Sequence, residues 1–188
     1  MDALDALKTR VSCPRLEGEI PDRTMMENLF HAALRVPDHG QLRPWRFLLI
    51  SGSGRERLGD LFAKAQRQDD PELSDVAVEK ARQKPSRAPL IIVIITTPKT
   101  HPKVPEIEQL LSAGASVQNM LVAAHAQGLG AMWRTGSMAY HPTVMDGLGL
   151  KENEKIVGFL YVGEISGKTR SAPELDAAQY FAAWPQKK

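Results

Sequence analysis

Apolar residues recur every three or four positions along much of the chain, which is the spacing of one face of an α-helix. The longest such stretch, 106–127, is apolar nearly all round, and Gly128 follows it where helices often end in a left-handed residue. Asp22 precedes another stretch and is a typical N-cap residue. The pattern predicts helices over residues 2–9, 22–35, 55–68, 75–83, 106–127 and 142–148.

Four shorter stretches have the β-branched and aromatic content of strands. Residues 90–95 read LIIVII, a continuous apolar run that indicates a strand buried on both faces. The other strands are predicted over 45–51, 131–134 and 156–162. Because strands alternate with helices along the chain, we expect an α/β or α+β protein built in three layers.

Length and composition predict one domain over residues 1–188. A chain of this length, 43% hydrophobic, buries a sufficient core without a disulfide or a metal. Its formal net charge of +2 gives no reason to expect nucleic acid or an anionic membrane as a partner. It has one cysteine, no N-terminal signal core and no apolar run near the ~20 residues that span a bilayer. We therefore expect a cytoplasmic protein.

Several common catalytic motifs are absent from the sequence. It has no GxxxxGK[ST] phosphate loop, no third glycine after Gly52-Ser53-Gly54 for a dinucleotide fingerprint, and no GxSxG elbow. None of the five histidines has a second ligand at metal-binding spacing. The lone Cys13 is predicted to be a small buried apolar residue in preference to a reactive thiol. If the protein is an enzyme, we expect a cofactor to carry the chemistry.

Three segments concentrate side chains that suit an anionic or flat ligand. Residues 10–12, Arg-Val-Ser, place a guanidinium and a hydroxyl two positions apart, and a phosphate accepts from both groups. Taken alone, they favour a solvated arginine and a turn serine. Residues 35–47 hold Arg, His, Gln and Trp between two prolines, as in many binding loops, although the tryptophan also suits the core. Residues 128–136 flank a Trp-Arg pair with glycines, which lets backbone approach a flat ligand; the alternative is a helix cap followed by a core tryptophan.

Together, in their order and spacing, the three segments resemble the landmarks of the nitroreductase family. These are an Arg-x-Ser after the first helix, a Pro-to-Trp loop, here 37–45, and a Gly-Leu-Gly element, here 128–130. The loop and the Trp-Arg-Thr-Gly segment look most like a short bacterial subgroup named for NAD(P)H nitroreductase activity. The resemblance implies an α+β fold of three layers, α/β/α, with a mostly antiparallel central sheet. It also implies a homodimer with one FMN at each end of the interface, contacted by both chains.

The same resemblance assigns residues to the FMN phosphate. Arg10 and Ser12 would bind it, with Val11 contributing its backbone. Lys168 or Arg170, in the segment after the last strand, would supply a second cation.

Other residues are assigned to the flavin ring and its ribityl chain. Those expected from the same chain are Trp133, Arg134 and Thr135. Those expected from the partner subunit are Arg35 and His39, and Gln41 of the same loop is also assigned to FMN. The sequence also departs from the family pattern, since Val11 replaces a second arginine. Three loop positions that are commonly Ser, Asn and Gln hold Asp38, Gln41 and Arg43.

The function implied is that of an FMN-dependent oxidoreductase without a catalytic side chain of its own. NADPH or NADH, and then a nitroaromatic, a quinone or a similar acceptor, would use one pocket in turn, which gives ping-pong kinetics. Arg134 or Arg35 would stabilise negative charge on the reduced ring. Two alternatives are a non-catalytic flavin-binding module and an oxygen-using flavin enzyme of the same fold.

Overall fold

A computed structural model describes residues 1–184 of the chain. All the predicted helices and strands are present, with ends that differ from the predicted ones by at most three residues. The two-residue strand β1 and four short 3₁₀ turns were not predicted. The helices are α1 (Ala3–Thr9), α2 (Arg23–Ala33), α3 (Ser53–Asp69), α4 (Asp75–Arg82), α5 (Glu106–Ala126) and α6 (Pro142–Gly147). The strands are β1 (Leu16–Glu17), β2 (Trp45–Ser51), β3 (Leu90–Thr96), β4 (Gly130–Arg134) and β5 (Lys155–Ile165).

Local chemistry explains where two of the helices begin or end. The Asp22 carboxylate accepts the Met25 backbone N–H at 2.8 Å, which caps α2 as predicted. Gly128 has a φ of +79° directly beyond α5, a conformation that favours glycine and turns the chain back toward β4.

The sheet is antiparallel at every strand pair that the described residues form. Its order is β1-β5-β3-β2, and β4 also pairs with β5. The β4–β5 register runs from Gly130 opposite Gly163 to Arg134 opposite Phe159. The prediction of an α+β fold with a mostly antiparallel sheet is therefore confirmed.

The sheet lies between two helical layers, which confirms the three-layer prediction. Every residue of β3 is buried, and its side chains alternate between two cores. Ile91, Val93 and Ile95 pack with residues of α3 and α6, whereas Ile92 and Ile94 pack with residues of α2 and α5. Cys13 is 4% exposed in the first core, as predicted.

Helix α5 is buried on one side and exposed on the other. Val117 and Met120 face the sheet and are at most 1% exposed, whereas Ile107 and Leu111 are 57% and 65% exposed. Within residues 1–184, no helix has the length and apolar character needed to cross a membrane. The predicted cytoplasmic location stays a prediction.

Candidate functional site

The first predicted segment lies beside β4. The Cys13 backbone N–H donates to the Ala131 carbonyl at 3.0 Å, and Thr9 Oγ1 lies 2.9 Å from His125 Nε2 at the end of α5. Arg10 Nη1 is buried and has no hydrogen-bond partner among residues 1–184. A buried guanidinium nitrogen without an acceptor is costly, so Arg10 fits a site for an anionic ligand.

Arg134 is held over the ring of a buried tyrosine. Its guanidinium carbon lies 5.4 Å from the centre of the Tyr161 ring. Its Nε is a second buried nitrogen without a partner in the described part of the chain, and Nη2 only approaches the Pro14 carbonyl, at 3.5 Å. Burial, and then the charge of Arg87, lower the pKa of Arg134. Burial raises the pKa of Tyr161 to about 12, so the phenol is neutral at physiological pH.

Two adjoining cavities of about 430 and 570 Å³ form a cleft beside β4. They share Arg87, Met132 and Arg134, while Lys84 and Thr135 line only the first. Among the described residues no carboxylate lines either cavity. The cations of this cationic cleft are Arg15, Lys84, Arg87 and Arg134.

Sequence reasoning missed Lys84 and Arg87. They stand in a polar stretch with no periodicity, and a 3₁₀ turn, Lys84–Arg87, brings them to the cleft. Burial lowers the pKa of Lys84, with smaller contributions from the charges of Arg87 and Lys80. A partly desolvated cation among other cations favours a negative ligand.

Trp133 borders the cleft, but its indole packs on the face of the sheet opposite to the Arg134 side chain. Nε1 donates to the Val157 carbonyl at 3.2 Å. A Cβ on Gly158 would lie 2.1 Å from that nitrogen, so only glycine leaves room for the indole. The far edge of the ring lies 3.9 Å from the Cβ position of Gly114 in α5. Arg134 and Trp133 therefore present their side chains on opposite faces of β4.

The second predicted segment, residues 35–47, is stabilised by hydrogen bonds within its own loop. The Asp38 carboxylate accepts the backbone N–H groups of Leu42 at 3.2 Å and Arg43 at 2.7 Å. Gln41 and Arg43 have φ values of +51° and +49°, a left-handed conformation that is strained for residues other than glycine. Asp38 thus supports an unusual backbone that presents Gln41 and Arg43 outward.

Within one chain, the first two segments lie at opposite ends of α5. Thr9 contacts His125 near the last turn, whereas His39 Nδ1 lies 2.7 Å from Glu108 Oε2 in the first turn. The two anchor residues on α5 are separated by roughly 25 Å at 1.5 Å per residue. One chain therefore does not bring His39 and its neighbours Arg35 and Gln41 to Arg10.

Lys168 and Arg170 lie exposed in the tail that follows β5. Ser166, two residues earlier than Lys168, lines the second cavity of the cleft, but neither cation does. Their assignment to the phosphate stays a prediction. Ser12 is also exposed, next to the buried Cys13.

The three layers define an α+β protein, and the cationic cleft beside β4 has the charge to suit an anionic ligand. A family model described as the Nitroreductase family matches residues 7–164, so the chain belongs to that family and is an oxidoreductase. It is 43% identical over 166 residues to the protein named Putative NAD(P)H nitroreductase YdjA of Escherichia coli strain K12, over 87% of this chain and 88% of that protein.

Solved structures share the fold. The Nitroreductase-like Family Protein from Bacillus cereus has a TM-score of 0.82 and 22% identity, over 98% of this chain and 97% of that one. The FMN and NADPH-dependent nitroreductase NfnB from Sphigopyxis sp. strain HMH has a TM-score of 0.77 and 17% identity, over 97% and 99% of the two chains. The family and fold expected from the sequence are confirmed.

Proposed function

We propose that this chain is a homodimeric, FMN-dependent oxidoreductase that passes reducing equivalents from NADPH or NADH to nitroaromatic, quinone or similar acceptors. The cationic cleft is the observation that carries the proposal. It combines a buried nitrogen of Arg134 that has no partner within residues 1–184 with Lys84 and Arg87, and Arg10 supplies a second such nitrogen beside β4. Named relatives and the NfnB structure, which is described as FMN and NADPH-dependent, support the same activity.

The residues of the cleft, together with Arg10 and Ser12 in the segment that lies beside β4, fit an FMN. Arg10 and Ser12 would hold the phosphate, and Arg134 and Thr135 would line the ring and the ribityl chain, with Trp133 behind them. Bound FMN supplies the hydride acceptor and donor that the chain lacks. Lys84 would stabilise negative charge on the reduced ring, because a cation in a partly desolvated cavity interacts strongly with it.

Two observations support the homodimer. Within one chain, roughly 25 Å separates the two α5 residues that contact the first and second segments. Arg35, His39 and Gln41 therefore reach a flavin held by Arg10 only from another copy. The chain also exposes large apolar side chains that a second copy would bury. On the helices they include Leu34, Ile107 and Leu111, and in the tail Tyr180, Phe181 and Trp184.

Initial-rate kinetics test whether the reductant and the acceptor share one pocket. We expect parallel double-reciprocal lines when NADPH is varied at several fixed concentrations of a nitroaromatic or a quinone. Intersecting lines would contradict the shared pocket. Anaerobic reduction that is rapid and followed by transfer to the acceptor favours the reductase. Slow reduction by both nicotinamides favours a non-catalytic binding module, although membership of the family argues against that alternative. Turnover that requires oxygen favours an oxygen-using enzyme.

A further inference from the structure

A third cavity, separate from the cationic cleft, lies between the end of α2 and the start of β2. Its volume is about 650 Å³. Three of its polar lining residues are Arg35, Gln41 and Arg43, and Trp45 gives it an aromatic wall. We call it the loop cavity.

The loop cavity carries positive charge that no described residue neutralises. The guanidinium groups of Arg35 and Arg43 are exposed, and neither takes part in a hydrogen bond or ion pair within residues 1–184. Among the described residues that line the cavity, Asp38 has the one carboxylate, and both of its oxygens accept backbone N–H groups, from Leu42 and Arg43. In the proposed dimer Arg35 reaches the flavin, so the Arg43 guanidinium is the group left to bind the oxygen atoms of a phosphate or a carboxylate.

The backbone that carries Arg43 is held by hydrogen bonds within its own loop. Its left-handed φ of +49° is fixed by the 2.7 Å hydrogen bond from its own N–H to Asp38. A rigid receptor loses less conformational entropy on binding than a mobile loop does. Asp38 therefore supports a strained conformation, which costs free energy, at Arg43, the residue whose charged side chain lines the cavity.

We infer that the loop cavity binds an anionic group of a substrate, and that Arg43 gives the enzyme a preference for substrates that carry one. The inference rests on the proposed function, in which this loop approaches the flavin of the other subunit. Two sources supply such an anion: the 2′-phosphate that distinguishes NADPH from NADH, or a carboxylate on the acceptor.

The test compares the FMN-loaded wild type with Arg43→Gln and with a control, Arg57→Gln. Glutamine keeps the backbone N–H that Asp38 accepts, and Gln41 shows that glutamine adopts the same left-handed backbone. Arg57 is an exposed arginine of α3 that lies outside the loop cavity. Calorimetry measures the affinities of 2′,5′-ADP and 5′-AMP, which differ only in the 2′-phosphate. Steady-state kcat/KM compares 4-nitrobenzoate with neutral nitrobenzene.

We expect the wild type to favour the anionic member of one pair by about tenfold, the lower end of what a charge-assisted hydrogen bond contributes. Arg43→Gln should remove most of that preference, and Arg57→Gln should keep it. Loss in the nucleotide pair assigns the site to NADPH, and loss in the nitro pair assigns it to the acceptor. A wild type that discriminates in neither pair, or equal losses in both variants, would overturn the inference. Failure of the proposed function is distinguishable, since it appears as protein that binds no FMN or is not reduced by either nicotinamide.

Discussion

The guanidinium of Arg134 lies over the ring of Tyr161, with 5.4 Å between the guanidinium carbon and the ring centre. This distance is within the range of a cation–π interaction. The ring holds the guanidinium at the cleft, while Nε has no protein acceptor in the described residues. We therefore infer that Tyr161 positions Arg134 so that its Nε can donate to a ligand.

Arg134→Gln should weaken FMN binding by about 10- to 150-fold, because a charge-assisted contact contributes about 1.5–3 kcal/mol. Quenching of FMN fluorescence on titration with apoprotein measures the dissociation constant. Tyr161→Phe is the matched control, since it keeps the ring under Arg134 and should leave the constant within about twofold. An unchanged constant in Arg134→Gln would remove this residue from the flavin site.

Arg10→Ala and Arg35→Ala together test the two-chain site. Each variant alone should lose FMN affinity at both sites of its homodimer, by about 10- to 150-fold for Arg10→Ala. In a heterodimer of one chain of each kind, one site has both arginines and the other has neither. Co-expression with two different tags isolates this heterodimer, and we expect half the FMN content of the wild type. A heterodimer without FMN would show instead that both arginines act within one chain.

Gly158→Ala should displace the Trp133 indole. The added Cβ would lie 2.1 Å from Nε1 and 3.0 Å from the Arg134 carbonyl, so the tryptophan or the backbone of β4 has to move. We expect a loss of about 1–3 kcal/mol in unfolding free energy together with weaker FMN binding. Gly114→Ala is the control, because its Cβ would meet the same indole at an ordinary 3.9 Å. Urea unfolding followed by tryptophan fluorescence compares the two, and equal stability would refute the steric argument.

Glu154→Gln should cost stability at neutral pH and reduce sensitivity to acid. Glu154 is 3% exposed, and its oxygens lie 2.8 and 2.7 Å from Nε and Nη2 of Arg46. The hydrogen bonds from Arg46 hold the pKa of Glu154 below its ordinary 4.5. Because the folded pKa is lower than the unfolded one, this stabilisation is complete above pH 4.5 and is lost as the pH falls through the folded value.

We expect Glu154→Gln to lower the unfolding free energy at pH 7 by about 2–3 kcal/mol. The difference from wild type should shrink below about pH 4.5, the ordinary pKa of the carboxyl. Glu27→Gln breaks only the exposed Arg23–Glu27 pair and should cost less than about 1 kcal/mol. Urea unfolding at pH 7 and pH 4 makes the comparison. A difference that does not depend on pH would mean that Glu154 acts through packing alone.

The sequence predicts the fold well because its signals are local. The LIIVII run of β3 and the Asp22 cap of α2 depend on neighbouring residues, and both behave as predicted. Lys84 and Arg87 were missed because they reach the cleft only through a 3₁₀ turn after α4. That placement depends on tertiary packing, which no periodicity in a polar stretch reveals.

In the candidate site, too, the sequence predicted some features and not those that depend on tertiary structure. The family resemblance pointed to Arg134, and the structure adds the reason that it is available, which is its place over Tyr161. The role of Asp38 as an acceptor for its own loop follows from the left-handed backbone of Gln41 and Arg43, and that backbone conformation was not predicted.

The most direct measurement is the visible absorption spectrum of the purified protein, taken before and after NADPH or NADH is added without oxygen. We expect a flavin spectrum, present as purified or after incubation with FMN, that bleaches on addition of at least one of the two nicotinamides. Protein that shows no flavin absorption even after incubation with excess FMN would contradict the assignment of the cationic cleft.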